Sequence, residues 1–325
     1  MSNNPITPKT ITVGGQAVIE GVMMRSADAV ATAVRKPNGQ IVIRREPFTS
    51  LLHRYRFLNI PVLRGSIAII EMLIIGTSAL QYSADVSMSN DEEGSSPKKS
   101  SRLELFLTTA FALGIGVLIF FAGPISLTNY FIGADQNAWS FNLVAGTIRA
   151  AMFITYVWAI SQMKDIFRLF QYHGAEHVSI YAFENKDALI PENGLKYDTP
   201  HPRCGTSFLM FVMIASILSF AIIDSLYIAY IGPLGLWNRL ALHLPCVPIV
   251  AGLSYELIKL SGKYYHLSWA RIFMMPGLWL QRITTKKPDI THIEVAMAAL
   301  QSALGEEAVR AYNAGQVTGA MSVHE

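Results

Sequence analysis

Long apolar stretches separated by short polar ones dominate the middle of the chain. Four are long enough to cross a hydrocarbon core of about 30 Å at 1.5 Å per helical residue. They cover residues 105–126, ending at Gly123-Pro124, then 141–160, 208–230 and 242–260. Pro245 and Pro248 stand near the start of the fourth, where a helix entry or kink is tolerated. A further apolar run from Ile67 to Leu80 contains Glu71 and falls short of the roughly 20 residues a span requires. An interfacial or re-entrant helix is therefore expected over residues 51–82, with Arg54 and Arg56 laying their stems on apolar surface. A true span over residues 60–80, with Glu71 turned toward protein, is the alternative. Residues 269–280, WARIFMMPGLWL, are broken by Pro276-Gly277 and read as interfacial or re-entrant. Residues 290–304 form an amphipathic pattern, with Ile293, Ala296, Met297 and Leu300 on one face. Residues 305–325 read as a tail.

The first fifty residues follow another pattern. Residues 11–24, ITVGGQAVIEGVMM, are apolar and Gly-rich without a helical period, which predicts strands joined at tight glycine positions. In residues 31–47, Asn38-Gly39 between two β-rich arms predicts a hairpin. Residues 1–50 thus form a small β unit outside the bilayer. Glu20 reads as an exposed strand carboxylate, with a site-lining role as the alternative. Gly14-Gly15 lacks the lysine and helix start of a phosphate loop. Residues 83–103 are polar and Ser-rich, the composition of a flexible linker. No internal repeat is visible. The expected fold is a mainly α-helical polytopic membrane protein, with four transmembrane helices, interfacial or re-entrant helices and a small N-terminal cytoplasmic β unit. Its membrane domain covers residues 104–265 and includes a cytoplasmic loop, 162–207. The interfacial segment and amphipathic helix of residues 266–304 follow.

Composition supports the membrane class. Of the 325 residues, 51% are hydrophobic and only 15% charged, against about 25% charged in a soluble domain. Net charge is +3, and no basic block is interleaved with aromatics, so nucleic acid is not an expected partner. Two cysteines, Cys204 and Cys246, make a disulfide framework unexpected. Met1 to Thr12 lacks a basic start followed by an apolar core, so no signal peptide is expected. Lysine and arginine alternate between rich and empty sides. Twelve precede residue 106, none lies in 127–140, five lie in 161–207, and seven occur from Lys259 onward. The positive-inside rule then places both termini and the histidine-rich loop in the cytoplasm, with the chain in the inner membrane. Arg149 lies inside the second span and should face protein, with Asp224 a candidate partner.

Chemistry concentrates in two clusters. His173 and His177 are four apart, so a helix projects both rings from one face, with Glu176 beside the second. This H-x-x-E-H order inverts the zinc-peptidase motif. Two neutral imidazoles would hold a divalent ion, zinc or another, and a carboxylate off the metal would take a proton from water. Gly174 and Ala175 keep side chains small, which suits close approach by another segment. The second cluster, His201-Pro202-Arg203-Cys204, precedes the third span. The chain has eight histidines, and three of them fall with Cys204 between residues 173 and 204. If His173, His177, His201 and Cys204 all ligate, the site is closed and structural. If His201 or Cys204 stands back, a water position opens and catalysis becomes available. Glu184, Glu192 and Asp198 are alternative carboxylate ligands. The plainer reading has the histidines capping carbonyls or meeting headgroups, and Cys204 merely buried. Arg203 would clamp an anion or meet headgroups.

Four stretches carry a resemblance: GGQAVIEGVMMR from Gly14 to Arg25, YHGAEH from Tyr172 to His177, HPRCGTSF from His201 to Phe208, and PGLWLQ from Pro276 to Gln281 with Thr284-Thr285. In these the chain resembles the YqhQ-like bacterial membrane proteins, described as predicted metal-dependent enzymes. The resemblance covers about residues 11 to 304 and omits the Ser-rich insert. It implies a metal-dependent activity without naming a reaction. Val178 stands where that family's pattern leads one to expect lysine. The expected function is a metal-dependent hydrolase at the cytoplasmic face, with Glu176 as general base and Arg203 as anion clamp. Its partners would be membrane lipid, a protein, or a peptide- or lipid-derived substrate, and a homo-oligomer is left open. The alternatives are a non-catalytic scaffold with a structural zinc site and, third, a small-solute or ion transporter.

Overall fold

The computed structural model describes residues 9–89, 102–133, 137–202, 204–264, 267–315 and 317–319. Arg203 and residues 90–101 of the expected linker lie outside them.

A short strand β1 (Lys9–Ile11) precedes a four-stranded antiparallel sheet of β2 (Gly14–Val18), β3 (Gly21–Arg25), β4 (Ala29–Arg35) and β5 (Ile41–Pro47), in sequential order. Val18 pairs with Gly21, so Ile19-Glu20 is a two-residue turn, with Glu20 at φ +52°. The Asn38-Gly39 hairpin forms as expected: Gly39 takes φ +89°, Lys36 N–H donates to the Gln40 carbonyl at 2.9 Å, and Gln40 N–H to Asn38 Oδ1 at 2.9 Å. Strands β3 and β4 are buried on both faces, which is why their sequences show no alternation.

After the single turn α1 (Leu51–Arg54), α2 runs continuously from Leu63 to Met88. One sheet face, with Val18, Met23 and Val30, packs on Ala79, Met72 and Ile75 of α2. The chain continues through α3 (Arg102–Val117), a π-helical turn (Leu118–Ala122), α4 (Gly123–Ile132), α5 (Ala138–Ile160), α6 (Lys164–Glu184), the single turn α7 (Pro191–Gly194), α8 (Gly205–Tyr230), α9 (Leu236–Lys263), α10 (Ser268–Thr284), α11 (Ile290–Leu304), α12 (Glu306–Asn313) and β6 (Val317–Gly319). The other sheet face, with Val22, Met24, Ala31 and Ala33, packs on Ile293, Ala296, Ala299 and Leu300 of α11 and on Ala175 and Val178 of α6. The largest cluster of buried apolar side chains among the described residues lies here.

Among the described residues, five helices are long and apolar enough to cross a membrane: Leu63–Met88, Leu107–Ile132, Ala138–Ile160, Gly205–Tyr230 and Leu236–Ser261. That corrects the expected four. The run around Glu71 is part of a 26-residue helix rather than a short re-entrant piece. Glu71 is tolerated because it is only 7% exposed and works as a cap: Ser50 Oγ donates to it at 2.9 Å and Leu51 N–H at 2.5 Å. Gly123-Pro124 does not end the next helix, because the π-helical turn carries the chain on into α4. Outward-facing Phe111, Leu118, Trp158, Leu218 and Ile249 suit lipid contact.

Other expectations shift as well. Residues 83–88 are helical rather than linker. Pro276 is carried inside α10, so residues 268–284 form one helix. The amphipathic helix forms as α11, and its apolar face covers the sheet. The tail contains α12, whose Tyr312 donates to the Asp187 carbonyl at 2.7 Å, and β6, which pairs in parallel with β1. Arg149 does not meet Asp224. Its Nε donates to the Phe120 carbonyl at 3.0 Å and its Nη1 to Ser216 Oγ at 3.0 Å. Asp224 instead accepts from Asn142 at 2.7 Å and lies 2.6 Å from His243 Nε2 and 3.5 Å from Arg239.

Candidate metal centre

Helix α6 enters the core at Tyr172 and is buried almost throughout from there to Glu184. The i,i+4 spacing puts His173 and His177 side by side, with ring centroids 4.6 Å apart. Each imidazole turns its Nδ1 to a main-chain carbonyl: His173 to Thr284 O at 2.8 Å, and His177 to Thr199 O. A carbonyl can only accept, so both rings carry their proton on Nδ1 when neutral and present a lone pair on Nε2. This arrangement of imidazoles is the one seen around bound metals.

Both Nε2 atoms face Cys204, the N-cap of α8. His173 Nε2 lies 3.2 Å from Cys204 Sγ. Thr206 N–H points at the same sulfur from 3.4 Å, so negative charge there meets the start of a helix. The ligating atoms of His173, His177 and Cys204 all lie within 4.8 Å of one another, the one such group among the described residues. His177 is 1% exposed, and its Nε2 has no hydrogen-bond partner. A buried lone pair with no hydrogen bond in place is costly, and a cation at the centre of the group would satisfy it, as would a proton on the nearby Cys204 sulfur or Glu176 carboxyl. Two imidazoles and a thiolate fit zinc, and three protein ligands leave a fourth position.

Glu176 stands beside the group, with Oε2 3.4 Å from His177 Nε2. Burial pushes its carboxyl above the usual range, opposed by the nearby His173 and His201 and by the Gly15 N–H. Burial also holds His177 below the usual imidazole range, with Cys204 pulling the other way. His201 is 2% exposed and lies next to the group rather than in it. Its ring centroid is 5.6 Å from that of His177, and its Nε2 is 3.4 Å from Glu184 Oε2. Burial brings its pKa down to about 4, with Glu176 partly opposing.

The motif stretches converge here. A Cβ on Gly15 would sit 2.6 Å from the Met23 carbonyl and 2.9 Å from Glu176 Cγ, so β2 approaches α6 only through glycine. Gln281 of α10 accepts from His201 N–H at 2.7 Å and donates to the His201 carbonyl and to Ser207 Oγ, each at 2.8 Å. It clamps the second cluster to the start of α8. Thr285 Oγ1 donates to Thr199 Oγ1 at 3.1 Å, tying together the two segments whose carbonyls hold the histidines. Sequence reasoning assigned no role to Gln281, Thr284 or Thr199. The first two stood in a quoted motif, but nothing in the spacing of Thr199 marks a carbonyl. Glu20 lies elsewhere, paired through both carboxylate oxygens with Arg168 and reached by Tyr172 OH at 3.4 Å.

Comparison with known proteins gives one curated relative. "Uncharacterized protein YqhQ" of Bacillus subtilis (strain 168) is 31% identical over 322 residues, covering 96% of this chain and 98% of its own length. No solved structure matches. The family model described as "Protein of unknown function (DUF1385)" matches residues 60–306. The sheet precedes that match, but the alignment with the Bacillus protein reaches nearly the whole chain, and the chain therefore belongs to this YqhQ-like family.

Proposed function

We propose that the chain is a metal-dependent hydrolase working at the cytoplasmic face of the inner membrane. The observation that carries this reading is the buried, unsatisfied Nε2 of His177, facing His173 Nε2 and Cys204 Sγ across a group 4.8 Å wide. His173, His177 and Cys204 would hold zinc or another divalent ion, with the Thr284 and Thr199 carbonyls fixing the rings. The ion would supply Lewis acidity and lower the pKa of water at the fourth position toward about 7. Glu176, raised by burial and hydrogen-bonded by Gly15 N–H, suits a base that would take up a proton there and pass it on to the leaving group. Arg203, next to Cys204 in the chain, would clamp an anionic substrate group. The alternation of basic and empty loops supports a cytoplasmic placement of the site and of both termini. Substrates consistent with a site at the end of a membrane helix are a lipid headgroup, a peptide or a membrane-protein segment.

A second reading, a structural His3Cys zinc site, is favoured by the closeness of the buried His201 to His177. Two measurements separate them. Metal analysis of the purified full chain should find about one ion per chain, reduced in His177→Ala and Cys204→Ser. Absence of stoichiometric metal refutes both readings. Glu176→Gln should keep the metal and the melting temperature but abolish complementation of a deletion strain. Intact complementation removes the catalytic reading and leaves the structural one.

A further inference from the structure

A second chemically distinctive place lies within the apolar helices, independent of the metal centre. A cavity of about 360 Å³ opens between α3, α8 and α9, walled by Gly116, Phe120, Phe220, Val247, Ser216 and Arg149. Arg149 is its one charged wall residue. It is 9% exposed and stands eleven residues from each end of α5, so it lies about 16 Å from either helix end, near the middle of a bilayer. Its hydrogen bonds go to neutral acceptors, Phe120 O and Ser216 Oγ, and the rings of Phe121 and Phe220 lie 5.4 and 5.9 Å from its guanidinium carbon. No carboxylate among the described residues comes within ion-pair distance of it; Asp224 is engaged by Asn142, His243 and Arg239. The carbonyl that receives Arg149 Nε belongs to the π-helical turn, Leu118–Ala122, and interruptions of this kind cluster at functional sites.

A cation held in an apolar setting without a counter-ion is costly, and such groups normally pair. The wall here is apolar apart from Arg149 and Ser216, so the missing anion must arrive on something apolar. Size narrows the class. An apolar cavity of about 150 Å³ accepts a benzene-sized guest, so this one takes an extended chain of roughly twice that bulk. We propose that the cavity binds a single-chain lipophilic carboxylate, a free fatty acid, with its carboxylate on Arg149 and its chain along α3 and α8. A phospholipid headgroup is disfavoured because its phosphate stays charged and would have to leave the interface, whereas a fatty acid can reach this depth as the neutral acid and ionise beside Arg149.

The test uses the full chain in phosphatidylcholine nanodiscs, with radiolabelled dodecanoic acid at pH 8. Unlabelled dodecanoic acid should displace the label at concentrations at least tenfold lower than dodecanol or methyl dodecanoate. Arg149→Gln should erase that preference, and Arg149→Lys should keep part of it. Gly116→Trp fills the cavity while leaving Arg149 in place, and a Cβ at Gly116 meets nothing within 4 Å. This variant should lose saturable binding altogether, and it decides the matter if Arg149→Gln does not fold. Equal potency of acid, alcohol and ester would mean that bilayer chains merely fill the space. That result, or undiminished acid binding in Gly116→Trp, overturns the proposal.

Discussion

Replacing Gly174 with alanine adds one methyl group at the point where three segments of the candidate metal centre meet. A Cβ there would lie 2.1 Å from the Lys286 carbonyl oxygen, 3.1 Å from Thr199 Cγ2 and 3.2 Å from Pro288 Cδ. Ordinary contact begins near 3.4 Å, so the carbonyl must retreat by roughly 1.3 Å. It is main chain and anchored, since Lys286 N–H donates to the Phe170 carbonyl at 2.9 Å. Two residues earlier is the Thr284 carbonyl that holds His173 Nδ1, and the crowded Thr199 supplies the carbonyl on His177. Overpacking of this kind costs about 1–3 kcal/mol, and the helix preference of alanine over glycine returns about 1. The net loss of stability should be at most about 2 kcal/mol. Disturbing both carbonyls should weaken metal affinity by about 10–100-fold, the usual effect of losing such supports. The assay is competitive metal binding with a chromophoric chelator, alongside a thermal melt in detergent. Gly205→Ala, whose Cβ meets nothing within 4 Å, should match wild type in both. If Gly174→Ala binds metal as wild type does, the two carbonyls do not orient the histidines and the argument fails.

Asp289→Ala should destabilise the sheet unit by about 1 kcal/mol, because Asp289 caps α11 through Thr291 N–H at 2.8 Å and His292 N–H at 3.2 Å. Burial alone would raise this carboxyl, but hydrogen bonds from Thr291 and His292 outweigh it and set its pKa at about 2, below the ordinary 3.8. Its contribution is therefore complete above pH 4 and lost as pH falls toward 2. The gap in melting temperature between wild type and Asp289→Ala should close over that window, and a constant gap would contradict the cap. Asp224→Ala leaves Arg239 and His243, 0% and 1% exposed, without their carboxylate. A loss of about 3–5 kcal/mol follows from stranding the buried Arg239 charge, read as a lower unfolding temperature in detergent. A melt within a degree of wild type would show that the cluster is solvated.

Much of the fold could be read directly. Apolar runs located the helices of the membrane part, and Asn38-Gly39 located the second hairpin. The span count failed at Glu71, because a carboxylate inside an apolar run reads as an interruption until the Ser50 hydroxyl and Leu51 N–H of a preceding turn are known to absorb it. Gly123-Pro124 misled for a related reason. A π-helical turn changes which carbonyls need partners, and residue type does not announce it. The pairing of Arg149 with Asp224 was drawn from charge alone, and eight residues of helix, about 12 Å, separate Asp224 from the Ser216 that Arg149 does contact. The two histidines and Cys204 were legible from spacing. The separation of His201 from them was not, because it depends on Gln281 gripping the His201 main chain from eighty residues away.

The placement of the three candidate ligands has a mechanical consequence. His173 and His177 ride on α6, which is packed against the sheet, whereas Cys204 caps α8, one of the helices able to cross a membrane. The carbonyl on His173 comes from the end of α10, and α10 also holds the second cluster through Gln281. A Cβ on Gly277 of α10 would stand 2.6 Å from Ser207 Cβ, so α10 and α8 touch without room to slide. A tilt of α8 against the sheet would therefore move the sulfur relative to the two imidazoles, whose carbonyl supports are tied back to α6 by Lys286 N–H on the Phe170 carbonyl at 2.9 Å and by Tyr181 OH on the Pro200 carbonyl at 2.7 Å. If the group holds a metal, its affinity and the angle of α8 would be linked quantities, each shifting the other by the same coupling free energy. A hydrolase built this way would sense the state of its membrane helices at the ligand set itself, before any substrate arrives.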